Sequence, residues 1–192
     1  GDSITDAGRR ESYDQMGFGY ASLTAAWFSA LYPEKKVKFI NRGISGNRAA
    51  DLEQRWQADC LDLKPDWVSI LIGINDVWRR YDSGDETRLE IFETHYRAIL
   101  KASSASKLIL LEPFVLHIPP DRAAWREDLN PKIDVVRKLA REFNALYVPL
   151  DGLFAQASTQ AQPGFWAEDG VHPTMAGHAL MAQAWLKAVK AV

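Results

Sequence analysis

The sequence predicts an α/β fold in which a central parallel sheet is covered by helices on both faces. Short apolar runs alternate along the chain with longer segments whose apolar residues have helical spacing. The runs are bounded by polar or turn residues, which is typical of strands buried on both faces. Strands that alternate with helices pair in parallel through crossover connections. The length of 192 residues fits one domain, and we expect a single domain over residues 1–192.

The elements follow from the apolar spacing, taken in chain order. Four runs predict strands: Val37–Ile40, Trp67–Ile72, Leu108–Leu111 and Leu146–Leu150. Five periodic segments predict helices: Tyr20–Leu31, Ala49–Leu61, Thr87–Ala102, Asn130–Phe143 and Thr174–Val189. The longest stretches that we interpret as irregular are Trp78–Glu86, Pro113–Asp128 and Gly152–Asp169. We expect the tryptophans inside these elements, Trp27, Trp56, Trp67 and Trp185, to be packing residues.

Charge and composition exclude several classes of function. Lys and Arg number 23 and Asp and Glu 25, a net charge of -2, which argues against the large cationic surface that binds nucleic acid. No run approaches the ~20 apolar residues of a membrane span. Cys60 is the only cysteine, so no internal disulfide forms, and we expect an inert, partly buried thiol. We expect a cytoplasmic rather than a secreted protein, while the oligomeric state stays open.

Polar residues follow the predicted strands, where ligands bind in open parallel sheets. The segments Asn41–Asn47, Gly73–Asp76 and Glu112–Phe114 each come directly after an apolar run. Asp169–Pro173 precedes the last helix, and Gly1–Ser3 is similar to a strand-end loop whose strand is absent. The sequence therefore predicts a site at this edge of the sheet.

Acyl transfer by a serine requires a hydroxyl nucleophile, a base for its proton and donors for the oxyanion. Ser3 is the candidate nucleophile and His172 the candidate base. Asp169 lies three residues before His172, close enough for its carboxylate to orient the imidazole. Pro173 suits the first turn of the helix that follows. A metal site would need a third clustered ligand, and no residue has suitable spacing, so we expect neither metal nor cofactor.

Four motifs resemble those of the SGNH (GDSL-type) hydrolase family, in the family's order. They are Gly1-Asp2-Ser3-Ile4-Thr5-Asp6, Gly43-Ile44-Ser45-Gly46-Asn47, Gly73-Ile74-Asn75-Asp76 and Asp169-Gly170-Val171-His172-Pro173. The resemblance implies that Ser3 is the nucleophile, His172 the base and Asp169 its orienting carboxylate. It also implies an oxyanion hole made by the backbone N–H groups of Ser3 and Gly46 and the side-chain amide of Asn75.

The resemblance further implies a flavodoxin-like three-layer α/β/α sandwich with a central parallel sheet. Family members have a hydrophobic first strand that leads into the serine motif, and that strand is apparently missing from this chain. We expect a chain extended upstream by such a strand to be more stable and more active, because a central strand pairs on both edges.

The residues that flank two of the motifs narrow the range of expected substrates. Lys64–Arg79 and His172–His178 resemble bacterial acetylxylan esterases, which implies removal of acetyl groups from xylan or xylo-oligosaccharides. Aromatic residues on loops often stack on sugar rings, and Trp78 and Trp166 are candidate substrate-binding residues. The expected partner is therefore a small acylated carbohydrate or ester.

Alternatives stay open at this point. A lysophospholipase or acyl-thioesterase of the same family would need an extended apolar groove. A non-catalytic carbohydrate-binding relative would not need the triad, and a flavodoxin-like binding domain would leave the four motifs unexplained. The remaining histidines, His95, His117 and His178, are interpreted as structural or solvated, although His117 follows a predicted strand.

Overall fold

The computed structural model describes all residues, Gly1–Val192, and contains one parallel sheet. Its strands are β1 (Trp67–Leu71), β2 (Lys107–Leu111) and β3 (Leu146–Val148), in the order β1-β2-β3. Every pairing is parallel, so each connection must return over a face of the sheet. All three strands therefore end at the same edge.

Nine α-helices accompany the sheet. They are α1 (Ser3–Asp6), α2 (Tyr20–Leu31), α3 (Ala49–Asp59), α4 (Ile74–Asp82), α5 (Leu89–Ala102), α6 (Arg126–Glu142), α7 (Leu150–Ala157), α8 (Pro163–Trp166) and α9 (Met175–Ala188). Short 3₁₀ turns occupy Pro33–Lys35, Leu61–Leu63 and Pro120–Trp125.

Two hydrophobic cores lie on opposite faces of the sheet. Along β2, Ile109 and Leu111 belong to one core and Leu108 and Leu110 to the other, as the two-residue period of a strand requires. Helices α2, α7 and α9 supply buried residues to the first core, and α3 and α5 supply them to the second. Helix α6 contributes to both. The three-layer α/β/α fold predicted from the sequence is confirmed.

The predicted strand Val37–Ile40 is wrong. This segment has no regular structure and pairs with none of the three strands, and Val37 and Ile40 are about half exposed. An extended apolar run becomes a strand only when a neighbouring strand accepts its backbone hydrogen bonds. Here Phe39 instead packs by its ring against Phe28 and Trp185.

All three stretches interpreted as irregular are partly helical. Helix α4 runs through Trp78 to Asp82, and α7 and α8 interrupt the stretch that begins at Gly152. The stretch Pro113–Asp128 contains the 3₁₀ turn Pro120–Trp125 and the start of α6. In α4 the apolar residues Ile74, Val77, Trp78 and Tyr81 lie at helical spacing, so the sequence did carry a signal for this helix.

Other boundaries and packing predictions also differ. Helix α6 begins at Arg126 rather than Asn130, and α9 begins at Met175 because the Thr174 side chain caps it by accepting the Gly177 N–H at 3.2 Å. Pro173 therefore precedes the helix instead of lying in its first turn. Trp56 is buried as expected, but Trp27 and Trp67 are 59% and 46% exposed and do not belong to a core.

Cys60 is buried, and burial raises the pKa of its thiol. None of the helices combines the length and the apolar composition required to cross a bilayer.

Candidate active site

Ser3, His172 and Asp169 form a continuous line of hydrogen bonds. The Ser3 Oγ lies 2.9 Å from His172 Nε2, and His172 Nδ1 lies 2.7 Å from Asp169 Oδ2. An ionised carboxylate only accepts, so Nδ1 carries the proton and Nε2 is left to accept from the Ser3 hydroxyl. This is the geometry by which an imidazole takes the proton of an attacking serine.

Ser3 is the first residue of the short helix α1, and side-chain hydrogen bonds of Asp2 and Thr5 hold this helix in place. The buried Asp2 carboxylate caps the helix by accepting the Ile4 N–H at 3.0 Å. The Thr5 hydroxyl lies 3.0 Å from the hydroxyl of Tyr20 at the start of α2. As the first residue of a helix, Ser3 has a backbone N–H with no intrahelical acceptor.

The segment Asp169–His172 is a tight turn that presents the imidazole. Asp169 Oδ1 accepts the backbone N–H groups of Val171 at 2.9 Å and His172 at 2.7 Å, while Oδ2 binds the ring. Gly170 has φ +81°, and a Cβ there would lie 2.3 Å from the Ile118 carbonyl oxygen. Only glycine fits this position, because both the backbone conformation and the contact exclude a side chain.

The pKa shifts of Asp169 and His172 suit a carboxylate that stays ionised and an imidazole that acts as a general base. Burial works against ionisation of Asp169, but hydrogen bonds from the His172 ring and two backbone N–H groups outweigh it and hold the pKa of Asp169 well below its usual range. The bond to Asp169 raises the pKa of His172 above its ordinary value of 6.5, against the opposing effect of burial. His172 is therefore a stronger base than a free imidazole.

The loop that carries Gly46 is bound to the serine helix. Asp6 Oδ2 accepts the Ser45 N–H at 3.0 Å, and the Ile44 N–H donates to the Gly1 carbonyl at 3.0 Å. Gly46 has φ +81° in the turn closed by the bond from the Asn47 N–H to the Ile44 carbonyl. The Gly46 N–H donates to no group of the protein.

Asn75 lies on α4, directly after the end of β1. Its side chain is 5% exposed, and Nδ2 donates to the Asn47 carbonyl at 3.1 Å. An amide nitrogen has two hydrogens, so one remains for another acceptor. The structure thus links Asn75 to the Gly46 loop, and that loop to α1. Such a set of N–H groups can stabilise an oxyanion formed next to Ser3.

Comparisons with known proteins identify the family of this chain. The profile of the GDSL-like lipase/acylhydrolase family matches residues 1–180. The chain belongs to this family. It is 36% identical to an acetylxylan esterase of Geobacillus stearothermophilus over 98% of this chain and 91% of that protein. This GDSL hydrolase is thus a carboxylic ester hydrolase.

Solved structures show the same fold. A crystal structure of the Geobacillus acetylxylan esterase has a TM-score of 0.89 at 35% identity, covering 98% of this chain and 90% of that one. A GDSL-like lipase of Parabacteroides merdae has a TM-score of 0.93 at 36% identity, covering 98% and 92%. Two further structures of the Geobacillus enzyme are of catalytic mutants, in which a serine and an aspartate are replaced by alanine.

The two candidate substrate-binding tryptophans of the GDSL hydrolase lie in different surroundings. The Trp78 ring lies 5.8 Å from the His172 ring and 5.3 Å from the Trp125 ring, both between centroids. The Trp166 ring packs against Phe165, and its buried Nε1 has no hydrogen-bond partner. Sugar contact stays a prediction for both, and the position beside the imidazole favours Trp78.

The other histidines lie outside the line of hydrogen bonds. His178 Nδ1 accepts the Tyr20 N–H at 3.1 Å and joins α9 to α2, and burial lowers the pKa of His178 to about 4. His117 Nε2 accepts from Arg126 at 3.1 Å, and His95 bonds to Glu53 at the surface.

Sequence reasoning missed Asn41 and Arg79. The buried Asn41 side chain donates to the Thr5 carbonyl at 2.6 Å and accepts the Gly43 N–H at 2.8 Å, which joins the serine helix to the glycine loop. Its position directly after an apolar run was the available signal. Arg79 lies four residues after Asn75, on the same face of α4. Its Nη2 lies 3.8 Å from where a Cβ on Gly46 would be.

Proposed function

We propose that this GDSL hydrolase removes acetyl groups from acetylated carbohydrate, such as acetylated xylan or xylo-oligosaccharides, through an acyl-enzyme on Ser3. The observation that carries the proposal is the line of hydrogen bonds from Ser3 through His172 to Asp169. A serine aligned on an imidazole whose other nitrogen is held by a carboxylate is the arrangement of a nucleophile with its general base.

The first half-reaction acylates Ser3. Its Oγ attacks the ester carbonyl carbon while its proton passes to His172 Nε2, and Asp169 stabilises the imidazolium. The negative charge on the carbonyl oxygen is stabilised by the N–H groups of Ser3 and Gly46 and by the amide of Asn75. When the tetrahedral intermediate collapses, His172 returns the proton to the sugar oxygen, which leaves as a hydroxyl.

The second half-reaction frees the enzyme. Water takes the place of the sugar hydroxyl, and His172 removes its proton as the water oxygen attacks the acyl carbon. Collapse of the second tetrahedral intermediate releases acetate, while the proton returns from His172 to the Ser3 oxygen. The same donors stabilise both intermediates.

The preference for a short acyl group and a sugar alcohol has two supports. The Geobacillus relative, at 36% identity over almost the whole chain, is an acetylxylan esterase. In addition, the guanidinium of Arg79 lies beside Gly46, so a charged group rather than an apolar surface borders the proposed hole on this side. Trp78 is partly exposed beside His172, with the Arg122 guanidinium 5.3 Å from its ring centroid, and would border the sugar ring of the substrate.

A substrate series tests the proposal. We expect kcat/KM for p-nitrophenyl esters to be highest for acetate and to fall for octanoate and longer chains, and acetate to be released from acetylated xylo-oligosaccharides. A rate that rises with chain length would contradict the acetyl preference. It would favour the lysophospholipase or thioesterase alternative, to which a 26% identical Escherichia coli thioesterase/protease/lysophospholipase corresponds.

A further inference from the structure

We propose that Asp76 is a positioning residue that holds the Gly46 turn, and with it the Gly46 N–H, in place for the oxyanion. The inference rests on the proposed function, because it assigns a task within the same site. Asp76 does not touch substrate in this proposal, and it acts through the backbone of the neighbouring loop.

Asp76 is completely buried and bonds to the start of α3. Its Oδ2 accepts the backbone N–H of Ala49 at 3.1 Å. Ala49 is the first residue of α3 and is itself completely buried. This N–H is one of the donors at a helix start that have no intrahelical acceptor, so the carboxylate joins the start of α3 to α4.

The neighbouring side chain binds the same segment. Asn75 donates from Nδ2 to the Asn47 carbonyl at 3.1 Å, two residues before Ala49. Two consecutive residues of α4 therefore hold the stretch that follows Gly46 at two points. Because the Gly46 N–H makes no bond of its own and glycine has a permissive backbone, its direction depends on such neighbouring contacts.

A buried carboxyl group at position 76 lowers the stability of the fold. Asp76 Oδ1 has no hydrogen-bond partner, and an unpaired buried polar atom destabilises the fold. Burial raises the pKa of Asp76 to about 7, so near neutral pH a neutral amide is a close substitute for it. What the residue provides is an acceptor at a fixed distance from Ala49, which an apolar side chain cannot provide.

The rival explanation is that Asp76 only stabilises the helix. Glu112 offers a matched control, since it is also completely buried and its Oε2 accepts a backbone N–H, that of Asp151 near the start of α7, at 3.0 Å. Its bonds involve neither the Gly46 turn nor Asn75. A Glu112→Ala variant therefore removes a buried carboxylate acceptor elsewhere at the sheet edge, together with its bonds to Arg137 and Tyr147.

The experiment compares Asp76→Ala, Asp76→Asn and Glu112→Ala with the unchanged chain. Melting temperature, kcat and KM for p-nitrophenyl acetate, and Ki for an alkylboronic acid that forms a tetrahedral adduct are measured. Rates are divided by the fraction of serine that an organophosphate labels at completion. We expect Asp76→Ala to lower kcat about 10²-fold, the usual effect of a misplacement near 1 Å, with little change in KM.

The further expectations separate positioning from stability. In Asp76→Ala, we expect the Ki of the boronic acid to rise by about the same factor by which kcat/KM falls. We expect Asp76→Asn to recover most of kcat. We expect Glu112→Ala to have a lower melting temperature and an unchanged kcat. Normal kcat per labelled serine in Asp76→Ala, a change in KM alone, or no rescue by Asp76→Asn would each overturn the proposal. An unchanged chain that neither hydrolyses esters nor takes up the label would instead contradict the proposed function.

A second variant removes the donor rather than the acceptor. Ala49→Pro deletes this N–H at the first helical position, and the preceding Arg48 already has the extended backbone that proline requires. Because Ala49 is completely buried, the proline ring also displaces the Asp76 carboxylate, which lies 3.1 Å from the Ala49 nitrogen. The same loss of kcat is expected in this variant, so the proposal can be tested even if Asp76→Ala does not fold. Full activity in Ala49→Pro would overturn it.

Discussion

Replacing Asn75 by alanine should lower kcat by roughly 10²- to 10³-fold, about 2.7 to 4 kcal/mol, as expected for loss of one oxyanion donor. The N–H groups of Ser3 and Gly46 remain, and the bond from the Ala49 N–H to Asp76 still holds the stretch after Gly46, so activity does not vanish. KM should change little, because the donor acts mainly on the transition state. The assay is steady-state hydrolysis of p-nitrophenyl acetate with the enzyme concentration corrected for labelled serine.

The same substitution also affects stability, and this must be separated from catalysis. The bond from Asn75 to the Asn47 carbonyl is lost, which costs about 1 kcal/mol and about 2 to 4 °C in melting temperature for a chain of this size. Ser103→Ala is the control, since this buried hydroxyl bonds to Trp56 and Ile99 in the other core. It should melt earlier with unchanged kcat. A pure KM effect in Asn75→Ala would refute the oxyanion role.

Three further predictions concern the catalytic line and the turn that carries it. Ser3→Ala and His172→Ala should each lower kcat on the order of 10⁴-fold or more, and the double variant little further, because the residues act as one unit; near-normal turnover in Ser3→Ala would rule out the mechanism. Only neutral imidazole accepts the serine proton, so kcat/KM should fall as pH drops through the raised pKa of His172, above 6.5. In Asp169→Asn this acid limb should move to lower pH and kcat should fall; an unmoved limb would assign it to another group. Gly170→Ala should unfold at a clearly lower temperature than Gly84→Ala, since both have positive φ but only the first puts a Cβ within 2.3 Å of a carbonyl oxygen; equal melting temperatures would contradict this.

The sequence predicted the fold where an apolar pattern and tertiary packing agree. Helix α2 has the predicted bounds, and β1 and β2 differ from prediction by one residue each. The segment Val37–Ile40 failed because strand formation depends on a neighbouring strand, which composition alone does not specify. Helix α4 was missed although Ile74, Val77, Trp78 and Tyr81 have helical spacing, because the helix is only nine residues long and begins within a motif interpreted as a strand-end loop.

The candidate catalytic residues were easier to predict from the sequence than the residues that hold the surrounding loops in place. Ser3, His172 and Asp169 lie within motifs whose chemistry is recognisable from residue type and order, and the structure brings them within hydrogen-bond distance. Asp76 lies in the motif Gly73–Asp76 and Asn41 two residues before the motif Gly43–Asn47, but their tasks depend on which backbone groups come close in three dimensions. Neither the Thr5 carbonyl nor the Ala49 N–H can be assigned to them from spacing.

The hydrogen bond between Ser3 and His172 joins residues that lie 169 positions apart in the sequence. During synthesis Ser3 is therefore made well before the base with which it pairs. Contacts between such distant segments form late, because closing a long loop costs entropy before any contact compensates for it. Recovery of ester hydrolysis during refolding should therefore lag behind recovery of helical circular dichroism, which makes turnover a reporter of the docking of α9.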